Sequence, residues 1–194
     1  MPTSAEPTGL FDAQFEPYAR EIGFLLRNWN DLQEMLANLF GTILDDRTGV
    51  SRAIWYAVPN DRLQRIMLRK AAEHVFSAAG SSDNSVILKE ICWIIDKSDS
   101  LGRQRDAAAH SPVSLLIAEP LEFIARYFHG NPLAESLKGK KLLTEFQLYR
   151  ERAVILHDYA KEIEQWLGIF QRRPTWPSRP PWPTRAPPGA RRKK

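Results

Sequence analysis

"KLLTEFQLYRERAVILHDYAKEIEQWLGIF", residues 141–170, decides the fold. Leu142, Phe146, Tyr149, Ala153, Leu156, Tyr159, Ile163, Trp166 and Phe170 recur every three or four positions. That period puts one apolar stripe on one face of a long helix, and such a stripe has to be buried against other helices. Upstream, the same period runs through Phe15, Tyr18, Ile22, Leu25, Trp29, Leu32, Leu36, Leu39 and Ile43. The opposite face of this first helix, Phe15 to Leu44, carries Arg20, Arg27, Asp31 and Glu34. Between them, Ser51 caps a short helix in "RAIWYAV" that stops before Pro59. The stretch "PNDRLQRIMLRKAAEHVF" is a further helix, capped by Asn60 or Asp61, with Leu63, Ile66, Met67, Ala71 and Val75 expected to face inward. A third long helix, Ser85 to His110, carries Ile87, Ile91, Ile94, Ile95 and Leu101.

After His110 the pattern changes. "VSLLIA" and "FIARYF" read as two short strands around a turn at Pro120, with a pair of short helices as the competing reading. "HGNP" is a turn signal that includes His129. The expected fold is therefore all-α: an antiparallel bundle of four to five helices spanning residues 13–170, with a small β-hairpin within 113–128. Residues 1–12 are expected to be disordered.

Residues 171–194 form a separate Pro/Trp/Arg-rich tail. It holds half of the chain's 14 prolines and repeats "WPSR" and "WPTR" six residues apart. Proline excludes helix and ladder here and favours extended conformers. The tail is expected to be disordered and solvated, or else a basic, aromatic arm that touches nucleic acid or the surface of the bundle.

Charge is divided in the same way. The chain is +4 overall, but the tail carries eight basic residues and no acid, which leaves 19 basic and 23 acidic groups in residues 1–170. The basic balance is thus no argument for nucleic-acid binding by the body. Apolar residues at 43% and charged residues at 26% are ordinary for a soluble protein. Cys92 is the one cysteine. It excludes an intrachain disulfide and, in practice, a structural zinc site, and it reads as a buried small hydrophobe. No apolar run is long enough for a membrane span, and "MPTSAEPTG" has no signal-peptide character. A reduced, cytoplasmic setting follows as the expectation.

The chemistry-bearing stretch is "RQRDAAAHSP", residues 103–112. An Arg followed by a His five positions later is not informative by itself, since Arg69–His74 and Arg152–His157 share the spacing. Those two lie inside helices and read as solvated or snorkelling side chains. Arg105–His110 differs. Pro112 stops the helix at His110, and three alanines leave room for close approach. Helical phase puts Arg103 within about 20° and Asp106 within about 40° of His110, with Arg105 about 140° away. An acid can then orient the imidazole beside two guanidiniums. The structural alternative is a basic helix end that complements the helix dipole, with Asp99–Arg103 as an i,i+4 ion pair.

"RDAAAH" resembles the Arg-polar-x-x-x-His signature of HEPN domains, which lies at the end of a long helix in a four- or five-helix bundle. The blocks "NWNDLQEMLANLF", "AIWYAVPNDRLQRIMLRKAAE", "DKSDSLGRQRDAAAHSP", "GNPLAESLKGKKLLTEFQLYRE" and "WPSRPPWPTR" are similar to a group of bacterial proteins with this core, across most of residues 15–185. The resemblance implies a homodimeric, metal-independent endoribonuclease that needs no cofactor, with RNA as substrate and a cognate antitoxin as partner, in a toxin–antitoxin or phage-defence setting. It would make Arg105 the signature Arg that stabilises the transition-state phosphate, Asp106 the polar residue that orients the imidazole, and His110 the general acid or base. Helical phase adds Arg103 as a phosphate contact. The same superfamily includes inactive members that bind nucleotides or partners, or serve as structural interaction modules, and this is the alternative function.

Overall fold

The stripe that opened the sequence is buried as its period demands. Leu142, Phe146, Tyr149, Ala153, Leu156, Tyr159 and Ile163 are all core residues, and Trp166 packs against them half-buried; Phe170 lies outside the described residues. The computed structural model describes residues 7–77, 82–116, 121–126, 131–168 and 176–185. In chain order they form α1 (Pro7–Ile43), α2 (Val50–Ala57), α3 (Asp61–Ser77), α4 (Ser82–His110), β1 (Val113–Leu116), β2 (Glu122–Ala125), α5 (Pro132–Glu135) and α6 (Leu142–Leu167). The protein is an all-α bundle with one small antiparallel hairpin. Among the described residues, no helix is long and apolar enough to cross a membrane.

Side-chain pairings give the helix directions. Asp61–Arg105, Arg65–Asp99 and Arg69–Asp96 run α3 antiparallel to α4. Glu90–Tyr159 and Gln104–Arg152 do the same for α4 and α6. Glu21–Arg150 and Thr42–Glu164 run α1 and α6 in the same direction.

The hairpin pairs Val113 with Ala125 and Leu116 with Glu122, so the strand reading holds over the short-helix one. Proline at 112 and 120 denies this stretch a helical run. Residues 117–120 and His129 lie outside the described residues. Phe123 of β2 is buried, and its ring meets Phe11, Phe15 and Tyr18 at 4.9, 5.1 and 5.1 Å. This aromatic cluster corrects the expected start of the first helix. The helix begins at Pro7, within the segment expected to be disordered, and passes through Pro17. Pro17 leaves the exposed Ala13 carbonyl without its i+4 donor, and the Phe123 contacts hold the turns on either side of it.

α3 also departs from expectation. Leu63, Ile66 and Val75 are exposed, and the inward face carries Arg65, Leu68 and Ala72. Arginine occupies the inner face because partners for its guanidinium wait there, as described below.

α2 folds back along the end of α1, with Arg52 and Tyr56 both reaching Glu34. The turn before it is built on Asp46, which accepts from the Ser51 and Thr48 backbone N–H groups and the Thr48 hydroxyl. Hydrogen bonding by Ser51 and Thr48 holds its carboxyl well below the usual carboxylate range. Gly49 supplies the left-handed residue, at φ 82°, that the turn requires.

Of the two expectations for the tail, the arm that touches the surface of the bundle holds over residues 176–185, and the free solvated segment does not. These residues carry no helix or strand, but lie on α4 and α6 with Trp176 and Trp182 packed against the core. Arg152 is correspondingly not a solvated side chain: it is half-buried and donates two hydrogen bonds to the Pro183 carbonyl.

Candidate functional site

α4 is helical through His110, so the phase read from sequence is kept. Arg103 and His110 are exposed, Asp106 is half-exposed, and all three belong to the outward side of the helix. Arg105 lies round the helix and turns into the bundle. Its guanidinium carbon is 5.0 Å from the ring centroid of Trp29, a buried residue on the α1 stripe. Arg65 of α3 reaches the same indole at 5.4 Å. Two guanidiniums on one desolvated indole are favourable because the ring quadrupole is negative over its face, by about 1–2 kcal/mol each when water is excluded.

Three carboxylates neutralise the pair. Arg105 Nη2 is 3.0 Å from Asp61 Oδ2, and its Nη1 is 3.1 Å from Asp106 Oδ1. Arg65 Nε is 2.7 Å from Asp99 Oδ1, and its Nη1 is 3.6 Å from Asp61 Oδ2. Asp61 therefore bridges the two arginines from the first turn of α3. Arg65 is 3% exposed, so its charge depends on these partners. Gly102 lets the indole approach α4: a Cβ there would sit 3.2 Å from Trp29 Cη2.

Beside this cluster lies a cleft of about 380 Å³, whose lining includes Asp61, Arg65, Asp99, Gly102, Arg103 and Asp106. Acidic and basic groups alternate around it. The charge is balanced, as expected of ion-paired helix faces and not of a phosphate cradle.

Of the four site residues named from sequence, the structure brings Arg103 and Asp106 to one cleft and ties Asp106 to Arg105. His110 shares the outward side of α4 with Arg103 and Asp106 but makes no hydrogen bond or ion pair with them; the imidazole sits at the exposed end of the helix. Asp106 faces Arg105 instead of orienting the imidazole. The sequence reading placed Trp29 in the buried stripe and Asp61 as a helix cap, without a role at this site, and did not name Arg65. A signal existed for one of them, since Arg65 shares a helical face with Leu68 and Ala72.

Cys92 is half-buried, and burial pushes its thiol up. A second and larger cleft, of about 1160 Å³, opens between α1 and α6 and is walled at one end by Thr184 and Arg185 of the tail. No family model, no curated protein and no solved structure matches this chain.

Proposed function

We propose that this chain is a non-catalytic helical interaction module of HEPN type, in which the Arg-Asp-x-x-x-His stretch joins helices instead of cleaving RNA. One observation carries the reading: the fork of Arg105 is already engaged. An arginine that stabilises a phosphate in a transition state must offer its paired N–H groups to that phosphate. Both terminal nitrogens of Arg105 instead face carboxylates, and its plane covers Trp29. Pulling it free would take a cation from Asp61, from Asp106 and from the indole, and would leave Arg65 alone on Asp61 and the ring. The expected module is a homodimer that binds a nucleotide or protein partner; these features rest on the resemblance.

The test is an RNA-cleavage assay in EDTA with mixed RNA, comparing the protein with its His110→Ala variant. RNA left intact by a well-folded protein is the expected result. Ends bearing 2′,3′-cyclic phosphate, produced by the protein and lost in the variant, overturn it.

That outcome would establish the second reading, a homodimeric, metal-independent endoribonuclease in a toxin–antitoxin or phage-defence setting, with a cognate antitoxin as partner. The exposure of His110 and Arg103 favours it, because a second copy can still approach that face. The 2′-hydroxyl of RNA would be the nucleophile, with His110 as acid or base.

A further inference from the structure

The repeat in the tail is matched by a repeat in the bundle. Arg179 of "WPSR" grips Glu90 of α4 with two hydrogen bonds, Nε to Oε2 at 2.8 Å and Nη2 to Oε1 at 2.7 Å. Arg185 of "WPTR" grips Glu145 of α6 in the same bidentate way, with Nη2 to Oε2 at 2.8 Å. Each carboxylate also accepts from a tyrosine on α6: Tyr159 to Glu90 at 2.8 Å and Tyr149 to Glu145 at 2.7 Å. Each tryptophan of the repeat meets a tryptophan of the bundle edge-to-face, Trp176 on Trp166 at 4.7 Å and Trp182 on Trp93 at 5.7 Å. Lys97 and Arg152 lie over the ring of Trp182 at 5.1 and 5.3 Å, and Arg152 also holds the Pro183 carbonyl.

The bundle side of these contacts offers a carboxylate and a tyrosine at each site. With the tail in place, Glu90 is 8% exposed and Glu145 is 4% exposed. Without the arginines Glu90 would keep the Tyr159 hydroxyl, and Glu145 the Tyr149 hydroxyl and Lys140 Nζ at 3.9 Å; a shielded carboxylate so weakly paired is costly, so each site favours a cation. The paired donors suit the planar fork of arginine and not the single ammonium of lysine. Proline on either side fixes the ligand in an extended form before it binds, which lowers the ordering cost. The tail reaches the groove from the end of α6 through only eight residues, 168–175, so it acts at a local concentration in the millimolar range.

We propose that the α4–α6 groove is a peptide-reading surface for paired Trp-Pro-Ser/Thr-Arg segments, that residues 176–185 are its resident ligand, and that a partner protein presenting such a proline-rich, arginine-bearing segment binds there by displacing them. This deepens the interaction-module reading by naming a surface and a ligand chemistry. Peptide binding alone decides it, as RNA cleavage alone decides the reading of the α4 stretch.

The probe is a fluorescein-labelled synthetic peptide spanning residues 175–186. The receptor is the full chain carrying Arg179→Glu and Arg185→Glu, checked for native helicity by circular dichroism. Saturable binding is expected, at least tenfold tighter than to the unaltered chain, whose groove is occupied. Replacing both arginines of the peptide with lysine should weaken binding at least tenfold. So should Glu90→Gln with Glu145→Gln in the receptor. Equal binding of the lysine peptide, equal binding to the unaltered chain, or no binding to the folded receptor each overturns the proposal.

A second measurement does not depend on that variant folding. A protease site placed between Gly168 and Trp176 is cut after the chain has folded. The released tail should then exchange with added labelled peptide. A tail that leaves and does not rebind at millimolar concentration overturns the proposal as well.

Discussion

Arg105 lies over the indole of Trp29, its guanidinium carbon 5.0 Å from the ring centroid, while its two terminal nitrogens reach Asp61 and Asp106. This contact joins α1, α3 and α4 at one point. Arg105→Ala is expected to destabilise the protein by about 1–3 kcal/mol, as a cation–π contact and a half-shielded ion pair are lost together. Urea unfolding measures it. A double-mutant cycle with Trp29→Leu should show a coupling of about 0.5–2 kcal/mol; additive losses would dismiss the contact as incidental.

His110→Ala should behave differently. The side chain is exposed at the end of α4, so the expected change in stability is within about 0.5 kcal/mol, the scale of a lost helix-dipole contact. Thermal unfolding of the two variants side by side separates Arg105, whose side chain joins three helices, from His110, whose side chain is exposed. A His110→Ala loss as large as that of Arg105→Ala would refute the separation.

Gly102 and Gly23 both lie inside helices, yet alanine should act on them with opposite sign. A Cβ at 102 would come 3.2 Å from Trp29 Cη2, and the indole is hemmed in by Arg65 and Arg105. Overpacking should exceed the gain in helix propensity and leave Gly102→Ala destabilised by about 1 kcal/mol. At Gly23 nothing lies within 4 Å of the added carbon, so Gly23→Ala should stabilise by about 0.5–1 kcal/mol. Denaturant midpoints at constant slope are the readout.

Acid should release the tail. Burial raises the Glu90 and Glu145 carboxyls. Hydrogen bonds from Arg179 and Tyr159 to Glu90, and from Arg185 and Tyr149 to Glu145, together with the arginine charges, outweigh it and leave both below the ordinary value. A carboxylate depressed on folding contributes stability above its unfolded pKa, about 4.3, and loses it as pH falls through the folded value. The melting-temperature advantage of the chain over its Arg179→Gln/Arg185→Gln variant should therefore be constant from pH 7 to about 5 and shrink below about 4. Tryptophan fluorescence, from the Trp93–Trp182 and Trp166–Trp176 pairs, should change in the same window. An advantage that persists at pH 3 would mean that the carboxylates do not hold the tail.

How far the sequence could be read depends on whether a feature is local. The stripes of α4 and α6 are set by residues three and four apart, and their core positions are buried as read. The short apolar runs around Pro120 admitted a hairpin or a pair of short helices, and the pairing of Val113 with Ala125 decided for the hairpin. α3 was read with Leu63, Ile66 and Val75 inward because hydrophobicity ranks them above Arg65; Met67 and Ala71 do pack against the core as read. Helical phase correctly set Arg105 apart from Arg103, Asp106 and His110, but it could not show what Arg105 would meet.

The sequence by itself determined the long helices, the end of α4 at His110 and the outward grouping of Arg103 with His110, and it narrowed 113–128 to a hairpin or a pair of short helices. These depend on periodicity, proline and capping, which act within a few residues. Only the tertiary structure decided that α1 continues through Pro17, that Arg65 is an inner residue, that Arg105 is engaged by Trp29 and Asp61, and that the tail is docked. Each of these joins residues dozens of positions apart, and each places a charge, an aromatic ring or an interrupted helix where its neighbour in sequence offers no partner. The free energy that settles such a residue comes from a surface that exists only once the other helices have packed.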